Sequence, residues 1–205
     1  MSVLIPIGLA VVVGVFTYLT SARQTKRTLA TQSRPLRNPA LDAHFAKLAD
    51  ALDLKRLHVN VYEIDPINGL AAPDGQIYIT RGFLKTFLSG EVTAAEISSV
   101  IAHELGHVAL GHTKRRMIDF SGQNAVRTAL AMTLNRFIPF IGPWIANLAV
   151  NMIAAGMSRK DEFEADAYAT ALMIKAGLGA APQKSLFAKL DRLTGHGGAA
   201  PAWFL

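Results

Sequence analysis

The sequence contains no cysteine. That absence excludes disulfide bonds, thiolate metal ligands, a cysteine nucleophile and a lipid anchor attached through cysteine. Any metal ion that the chain binds must therefore be held by histidine and carboxylate side chains. At 205 residues the chain has the length of one domain, and its core is large enough to be stable without disulfide bonds.

Charged residues are also scarce, at 18% of the chain, whereas hydrophobic residues make up 51%. The apolar excess is concentrated in segments, which is typical of a protein that contacts a membrane. The formal net charge of +6 suits either a nucleic acid or an anionic membrane surface. Because the basic residues flank apolar runs and no nucleic-acid-binding motif is present, we expect membrane lipid and no nucleic acid as a partner.

The first apolar run, residues 3–19, has the minimum length of a membrane-spanning helix. No Lys or Arg precedes the run, and the residues that follow it make a poor cleavage site. These two features favour an uncleaved anchor at residues 1–22 over a signal peptide. Residues 23–37 are basic and unpatterned, which predicts a linker, and the positive-inside rule puts everything after Arg23 in the cytoplasm.

Residues 38–194 are predicted to form an α+β, mainly helical domain, followed by a mobile tail at residues 195–205. Periodicity and capping signals predict four helices. One begins at Asn38, one begins at the capping box Thr93–Glu96, and two span residues 159–176 and 182–193. Alternating apolar residues predict strands at residues 57–62 and 76–80.

Residues 125–157 are mostly apolar but include charged residues and two prolines. They are too few for two membrane crossings. We expect an apolar hairpin that lies at the membrane interface or packs on the domain, and both alternatives stay open.

The motif His103-Glu104-Leu105-Gly106-His107 lies within the helix that the capping box opens. Histidines four residues apart share one helix face, so both imidazoles can reach one cation, and zinc suits neutral imidazole. Glu104 projects to the side, where it can act as general base on a zinc-bound water without binding the metal. Gly106 costs helix stability, which indicates that another element approaches closely there.

Two histidines leave a catalytic zinc site one protein ligand short. His112 lies about half a turn away from His103 if the helix is continuous, so we expect it not to bind the metal. The metzincin pattern is excluded because Leu110 and Thr113 occupy the positions that need Gly and His.

A later segment offers carboxylates for the third position. Glu162 and Asp166 are four residues apart and share a helix face, so one can bind zinc while the other accepts a hydrogen bond from a ligating histidine. Glu164 points away from that face and is predicted to be a solvated surface acid.

The chain resembles the HtpX and CAAX-prenyl-protease family of membrane gluzincin metalloendopeptidases over residues 39–176. The similarity is carried by Asn68-Gly-Leu-Ala-Ala-Pro, Gly75-Gln-Ile-Tyr-Ile-Thr-Arg-Gly82, Ile101-Ala-His-Glu-Leu-Gly-His107 and Ser158-Arg-x-x-Glu-x-x-Ala-Asp166. The family usually reads Asn-Ala-Phe-Ala where this chain has Asn68-Gly-Leu-Ala. Its long members have several membrane spans, whereas the sequence predicts one here.

The resemblance implies a zincin-like fold with a small sheet and one zinc ion held by His103, His107 and Glu162. It makes Asp166 the hydrogen-bond partner of His103 and Glu104 the base. It further implies a zinc endopeptidase of the bacterial inner membrane whose catalytic domain faces the cytoplasm and cuts misfolded or membrane-associated polypeptides. A substrate strand along an exposed edge near residues 76–80 would suit this activity, although these residues can equally be ordinary sheet. The alternative function is a protease-like chaperone or binding module without hydrolysis.

Overall fold

The computed structural model describes residues 4–72, 74–112, 115, 126–127, 130–131 and 142–194. These residues include six long helices, α1 Leu4–Thr31, α2 Pro39–Ala51, α3 Arg81–Leu88, α4 Ala94–Ala109, α5 Gly142–Lys175 and α6 Ala181–Thr194. They also include four short strands, β1 Ser33–Pro35, β2 Val59–Tyr62, β3 Gly69–Ala71 and β4 Ile77–Thr80. The fold is therefore mainly helical with a small sheet, as predicted.

The four strands form one mixed sheet in the order β1-β2-β4-β3. β1 is antiparallel to β2, β2 is parallel to β4, and β3 is antiparallel to β4. β4 therefore has a strand on each side, and of the two alternatives for residues 76–80, ordinary sheet and a free edge, the structure supports ordinary sheet. The edge strand on that side is β3, which packs against α4.

Side chains that cap the helices set where α2 and α4 begin. The Asn38 side chain accepts hydrogen bonds from the backbone N–H groups of Ala40 and Leu41. Thr93 and Glu96 form the predicted capping box at the start of α4. Both helices then bury one apolar face in a common core, which includes Leu41, Phe45, Leu48, Ile97 and Ile101.

The predicted anchor falls within α1, but it is not confirmed as a membrane span. In the part of the chain that the structure describes, no helix combines the length and the apolar content that a bilayer crossing requires. Residues 23–37, where we expected an unpatterned linker, form the end of α1 and strand β1. Burial of Leu29 against Ala72 and Tyr78 explains the order there, because it joins the end of α1 to the sheet.

The helix predicted at residues 159–176 begins much earlier, at Gly142. Pro143 is tolerated because it lies in the first turn, where its missing N–H has no helical acceptor to lose. Residues 142–157 of the predicted apolar hairpin therefore belong to α5. Most of residues 125–141, and the predicted tail at residues 195–205, lie outside the described residues.

Candidate metal centre

Helices α4 and α5 bring the three predicted metal ligands together. The Nε2 atoms of His103 and His107 are 3.0 Å apart. Glu162 Oε2 lies 3.3 Å from Nε2 of His103 and 3.6 Å from Nε2 of His107. Glu162 and His107 are buried, and His103 is nearly so. Three ligand atoms of the types that zinc prefers thus form a compact triangle.

The triangle has the dimensions of a tetrahedral zinc site. Zinc bonds of about 2.0–2.1 Å at tetrahedral angles separate neighbouring ligand atoms by about 3.3 Å. The three observed separations span 3.0 to 3.6 Å, on both sides of that value. The residues present therefore fit a zinc ion.

The electrostatic field at the triangle also favours a cation. Burial by itself would lower the pKa of His103, because it disfavours the charged imidazolium. Hydrogen bonds with Asp166 and Glu162, together with the negative charge of Glu104, outweigh burial and raise the pKa of His103 to about 9. Positive charge is thus stabilised where the metal would bind.

Gly106 allows the close approach of α4 and α5 on which the site depends. A Cβ atom at this position would lie 3.1 Å from the carbonyl oxygen of Ala165 and 3.2 Å from Cβ of Tyr168. The glycine in the motif therefore has the role that its cost to the helix indicated, since it lets α5 pack against the backbone of α4.

Asp166 occupies the predicted place behind His103. Its Oδ1 atom lies 2.8 Å from Nδ1 of His103, so the imidazole can donate its Nδ1 proton to Asp166 and present Nε2 to a metal. Gln183 of α6 supports this carboxylate through its amide nitrogen, which lies 3.5 Å from Asp166 Oδ1 and 3.4 Å from the Asp166 carbonyl oxygen. The sequence carried no sign of this role for Gln183.

Glu104 is buried beside the edge strand. A Cβ atom placed on Gly69 would lie 3.5 Å from Cγ and 3.6 Å from Oε1 of Glu104. β3 therefore passes close to the predicted base. A larger residue at position 69 would press on the active-site helix, since the same Cβ would lie only 2.5 Å from Val100 Cγ1.

Two residues that we expected to be outside the site contact it. His112 is fully buried, and its Nδ1 lies 3.1 Å from Nδ1 of His107. Its Nε2 lies 3.1 Å from Oε2 of Glu164. The Glu164 side chain is 40% exposed, in keeping with the predicted surface acid, but it also forms a hydrogen bond with the buried His112 that the sequence did not indicate. This hydrogen bond, with the nearby charge of Lys160, lowers the pKa of Glu164.

A break in the helix explains why His112 reaches the site. α4 ends at Ala109, and Gly111 has a left-handed φ of +72°. Beyond this break, the N–H of Arg115 donates a hydrogen bond to the Gly111 carbonyl. The continuous helix assumed for His112 does not exist, and Gly111 is the signal that could have revealed this.

Comparison with known proteins agrees with this geometry. Residues 35–203 match the family described as peptidase family M48. The chain is 32% identical over 146 residues to metalloprotease LoiP and 30% identical over 154 residues to metalloprotease YcaL, both of Escherichia coli. It is 27% identical over 124 residues to human mitochondrial metalloendopeptidase OMA1.

These alignments cover most of this chain but less of the relatives. They span 71% and 73% of this chain for the two bacterial relatives, and 58% for OMA1. The same alignments span 56% of LoiP, 59% of YcaL and 23% of OMA1. The family match extends over most of the residues that build the candidate site, from the sheet through α6. The chain therefore belongs to peptidase family M48.

Proposed function

We propose that this chain is a zinc-dependent endopeptidase with His103, His107 and Glu162 as the metal ligands. The observation that carries the proposal is the triangle of buried Nε2, Nε2 and Oε2 atoms, whose edges match those of a tetrahedral zinc site. Membership of a peptidase family and similarity to proteins named metalloproteases support hydrolysis as the reaction.

The residues around the triangle have separate roles in peptide hydrolysis. Zinc, when bound, polarises the scissile carbonyl and lowers the pKa of a water molecule. Glu104 takes a proton from the attacking water, whose oxygen adds to the carbonyl carbon, and passes that proton to the amide nitrogen as the C–N bond breaks. Asp166 holds His103 in the tautomer that leaves Nε2 free for the metal.

The substrate in this proposal is an extended polypeptide that pairs with β3. Within the described residues β3 has one strand neighbour, β4, so its other edge can accept a strand. β3 passes close to Glu104, which would bring a paired backbone beside the base. Backbone pairing of this kind depends weakly on side chains, which suits a protease with broad sequence tolerance.

The test combines metal analysis with casein cleavage for the wild type and Glu104→Gln. We expect about one zinc per chain in both proteins and cleavage by the wild type alone, because the carboxamide cannot take the proton from water. Near-normal cleavage by Glu104→Gln would remove Glu104 from the mechanism. Zinc binding without cleavage by the wild type, together with suppression of casein aggregation, would instead support the chaperone alternative.

The cellular location and the substrates in this proposal are inferred from the sequence and its resemblance to the family. Association with the bacterial inner membrane, a catalytic domain that faces the cytoplasm, and misfolded or membrane-associated substrates all stay predictions. Fractionation of cells that express the full chain, with protease accessibility of each side of the membrane, tests the first two.

A further inference from the structure

A chain of hydrogen bonds leads from His107 to the surface of the protein. Nδ1 of His107 lies 3.1 Å from Nδ1 of His112, and Nε2 of His112 lies 3.1 Å from Oε2 of Glu164. The side chain of His112 is 0% exposed, whereas that of Glu164 is 40% exposed. The zinc site proposed above thus continues outward through a second histidine and a carboxylate.

When Nε2 of His107 binds a metal, the positions of the ring protons determine which atom donates and which accepts in each of these hydrogen bonds. A neutral imidazole that uses Nε2 as a ligand carries its proton on Nδ1 and donates it. His112 must then accept at its own Nδ1, which leaves the His112 proton on Nε2. That proton points at Glu164 Oε2, so each donor in the series meets one acceptor.

The same side chains could suggest a different site. His112, Asp161 and Glu164 place three possible ligand atoms close together, as a second metal ion would require. However, Nε2 of His112 is protonated in the arrangement above and has no lone pair to offer. Arg115 Nη1 lies 3.4 Å from Asp161, and Lys160 Nζ lies 3.5 Å from Glu164, so cationic side chains already face both carboxylates. These contacts disfavour a second cation.

We propose that His112 is a positioning residue for the zinc site, which fixes the ring orientation and tautomer of His107, and that Glu164 fixes His112 in turn. This inference rests on the proposed zinc-binding function. His103 and His107 would then each have their own support, Asp166 for the first and the His112–Glu164 pair for the second.

The main test measures zinc affinity by chelator competition for His112→Asn and His112→Phe. The Asn side chain keeps an acceptor oxygen near the position of Nδ1, whereas Phe keeps the volume of the ring without any acceptor. We expect His112→Phe to weaken zinc binding by about 10–100-fold and His112→Asn to recover part of that loss. A purely packing role for His112 would give the reverse order, because Phe fills the buried space better than Asn.

A second pair of variants acts on the outer residue and leaves the core intact. We expect Glu164→Ala to weaken zinc binding by about tenfold, and Glu164→Gln to do less because the amide oxygen still accepts a hydrogen bond. Combined with His112→Phe, Glu164→Ala should add nothing further, since Glu164 acts through His112. The control is His44→Phe, which removes a half-buried histidine of α2 and should leave zinc affinity unchanged.

Cobalt-substituted protein gives a readout that does not depend on activity. The visible absorption bands of Co²⁺ in the site should shift in His112→Phe and remain close to the wild type in His44→Phe. If His112→Phe fails to fold, the two Glu164 variants decide by the same affinity and spectra.

The possible outcomes separate this inference from the proposed function. Wild-type protein that binds no zinc overturns both. A second outcome overturns the positioning role alone. In that outcome the wild type binds one zinc and cleaves casein, Glu164→Ala has unaltered zinc affinity, and His112→Phe binds zinc at least as tightly as His112→Asn. Two equivalents of zinc in the wild type, with one lost in Glu164→Ala, would replace the positioning role with a second metal site.

Discussion

Glu162 and Glu164 lie two residues apart on α5 but face different histidines. Oε2 of Glu162 faces the Nε2 atoms of the His103–His107 pair, whereas Oε2 of Glu164 contacts His112. In the proposed site, Glu162 is one of three ligands and Glu164 acts at a distance from the metal. The two carboxylates should therefore contribute very differently to zinc binding.

Substitution by Ala tests this difference at the residue scale. Glu162→Ala should lose zinc on dialysis against a mild chelator, because two imidazoles hold the ion weakly. Glu164→Ala should retain zinc under the same conditions, with only the loss of about tenfold in affinity argued above. Asp166→Asn should fall between them, at about 10–100-fold. Equal zinc loss from Glu162→Ala and Glu164→Ala would contradict this assignment of the ligand.

The sequence predicted those parts of the site that local periodicity determines. Histidines four residues apart must share a helix face, and so must Glu162 and Asp166, wherever their helices pack. His112 and Gln183 depend instead on the helix break at Gly111 and on the docking of α6. Tertiary packing decides both features, so helical spacing could not reveal them.

At the scale of elements, the packing of α4 on α5 controls the geometry of the site. Gly106→Val should weaken zinc binding, because the added branched side chain meets the α5 backbone at Ala165 and pushes the helices apart. Ala109→Val is the matched control, since it places the same side chain at an exposed position of α4. We would measure zinc affinity and thermal stability for both variants. Wild-type affinity in Gly106→Val would show that the close contact does not set the site.

The start of α4 is joined to α6 through a buried carboxylate. Glu96 forms the capping box with Thr93 and also contacts Lys189 Nζ at 2.7 Å and Ser185 Oγ at 2.6 Å. Burial would raise the pKa of Glu96, but the hydrogen bonds from Lys189, Ser185 and Thr93 outweigh it and hold the pKa below 4.5. A charged, fully bonded carboxylate thus fixes the helix that carries the metal-binding histidines.

Lys189→Met should lower the free energy of unfolding by about 2 kcal/mol at neutral pH, because the charged Glu96 loses its strongest hydrogen bond. A lowered carboxyl pKa stabilises the fold above the unfolded-state pKa, and this contribution is lost as the pH falls through the folded-state value. The stability difference between the wild type and Lys189→Met should therefore narrow below pH 4.5. Denaturant unfolding over a pH series measures it, and Lys184→Met, at an exposed site on α6, serves as the control. A difference that is constant with pH would exclude the ion pair as its source.

Helices with strong capping signals were predicted close to their true starts, whereas short strands were missed. β1 and β3 contain three residues each, too few for an alternating pattern to be recognised. β3 contains Gly69, and the turn signal at Asn68-Gly69 concealed a strand whose order comes from pairing with β4. For the same reason the sequence could not show that β3, and not β4, is the edge strand of the sheet.

At the scale of the whole molecule, the family match begins at residue 35 and leaves α1 outside it. α1 is joined to the rest of the described structure at its C-terminal end, where Leu29 is buried against the sheet. Its earlier residues include exposed Val12, Val15, Phe16 and Leu19. A second set of exposed apolar side chains, Trp144 and Leu148, lies near the start of α5. We therefore predict that membrane contact involves both α1 and the start of α5.

Deletion of residues 1–22 tests this expectation. The truncated protein retains Leu29, so it should fold, bind zinc and cleave casein. We expect it to remain partly bound to anionic vesicles, because Trp144 and Leu148 still present an exposed apolar surface. Changing both residues to Ser in the truncated protein should release it, whereas Phe163→Ser, an equally exposed apolar site on α5, should not. Vesicle sedimentation and size-exclusion chromatography without detergent measure the outcome. A truncated protein that is monomeric and does not sediment with vesicles would restrict membrane contact to α1.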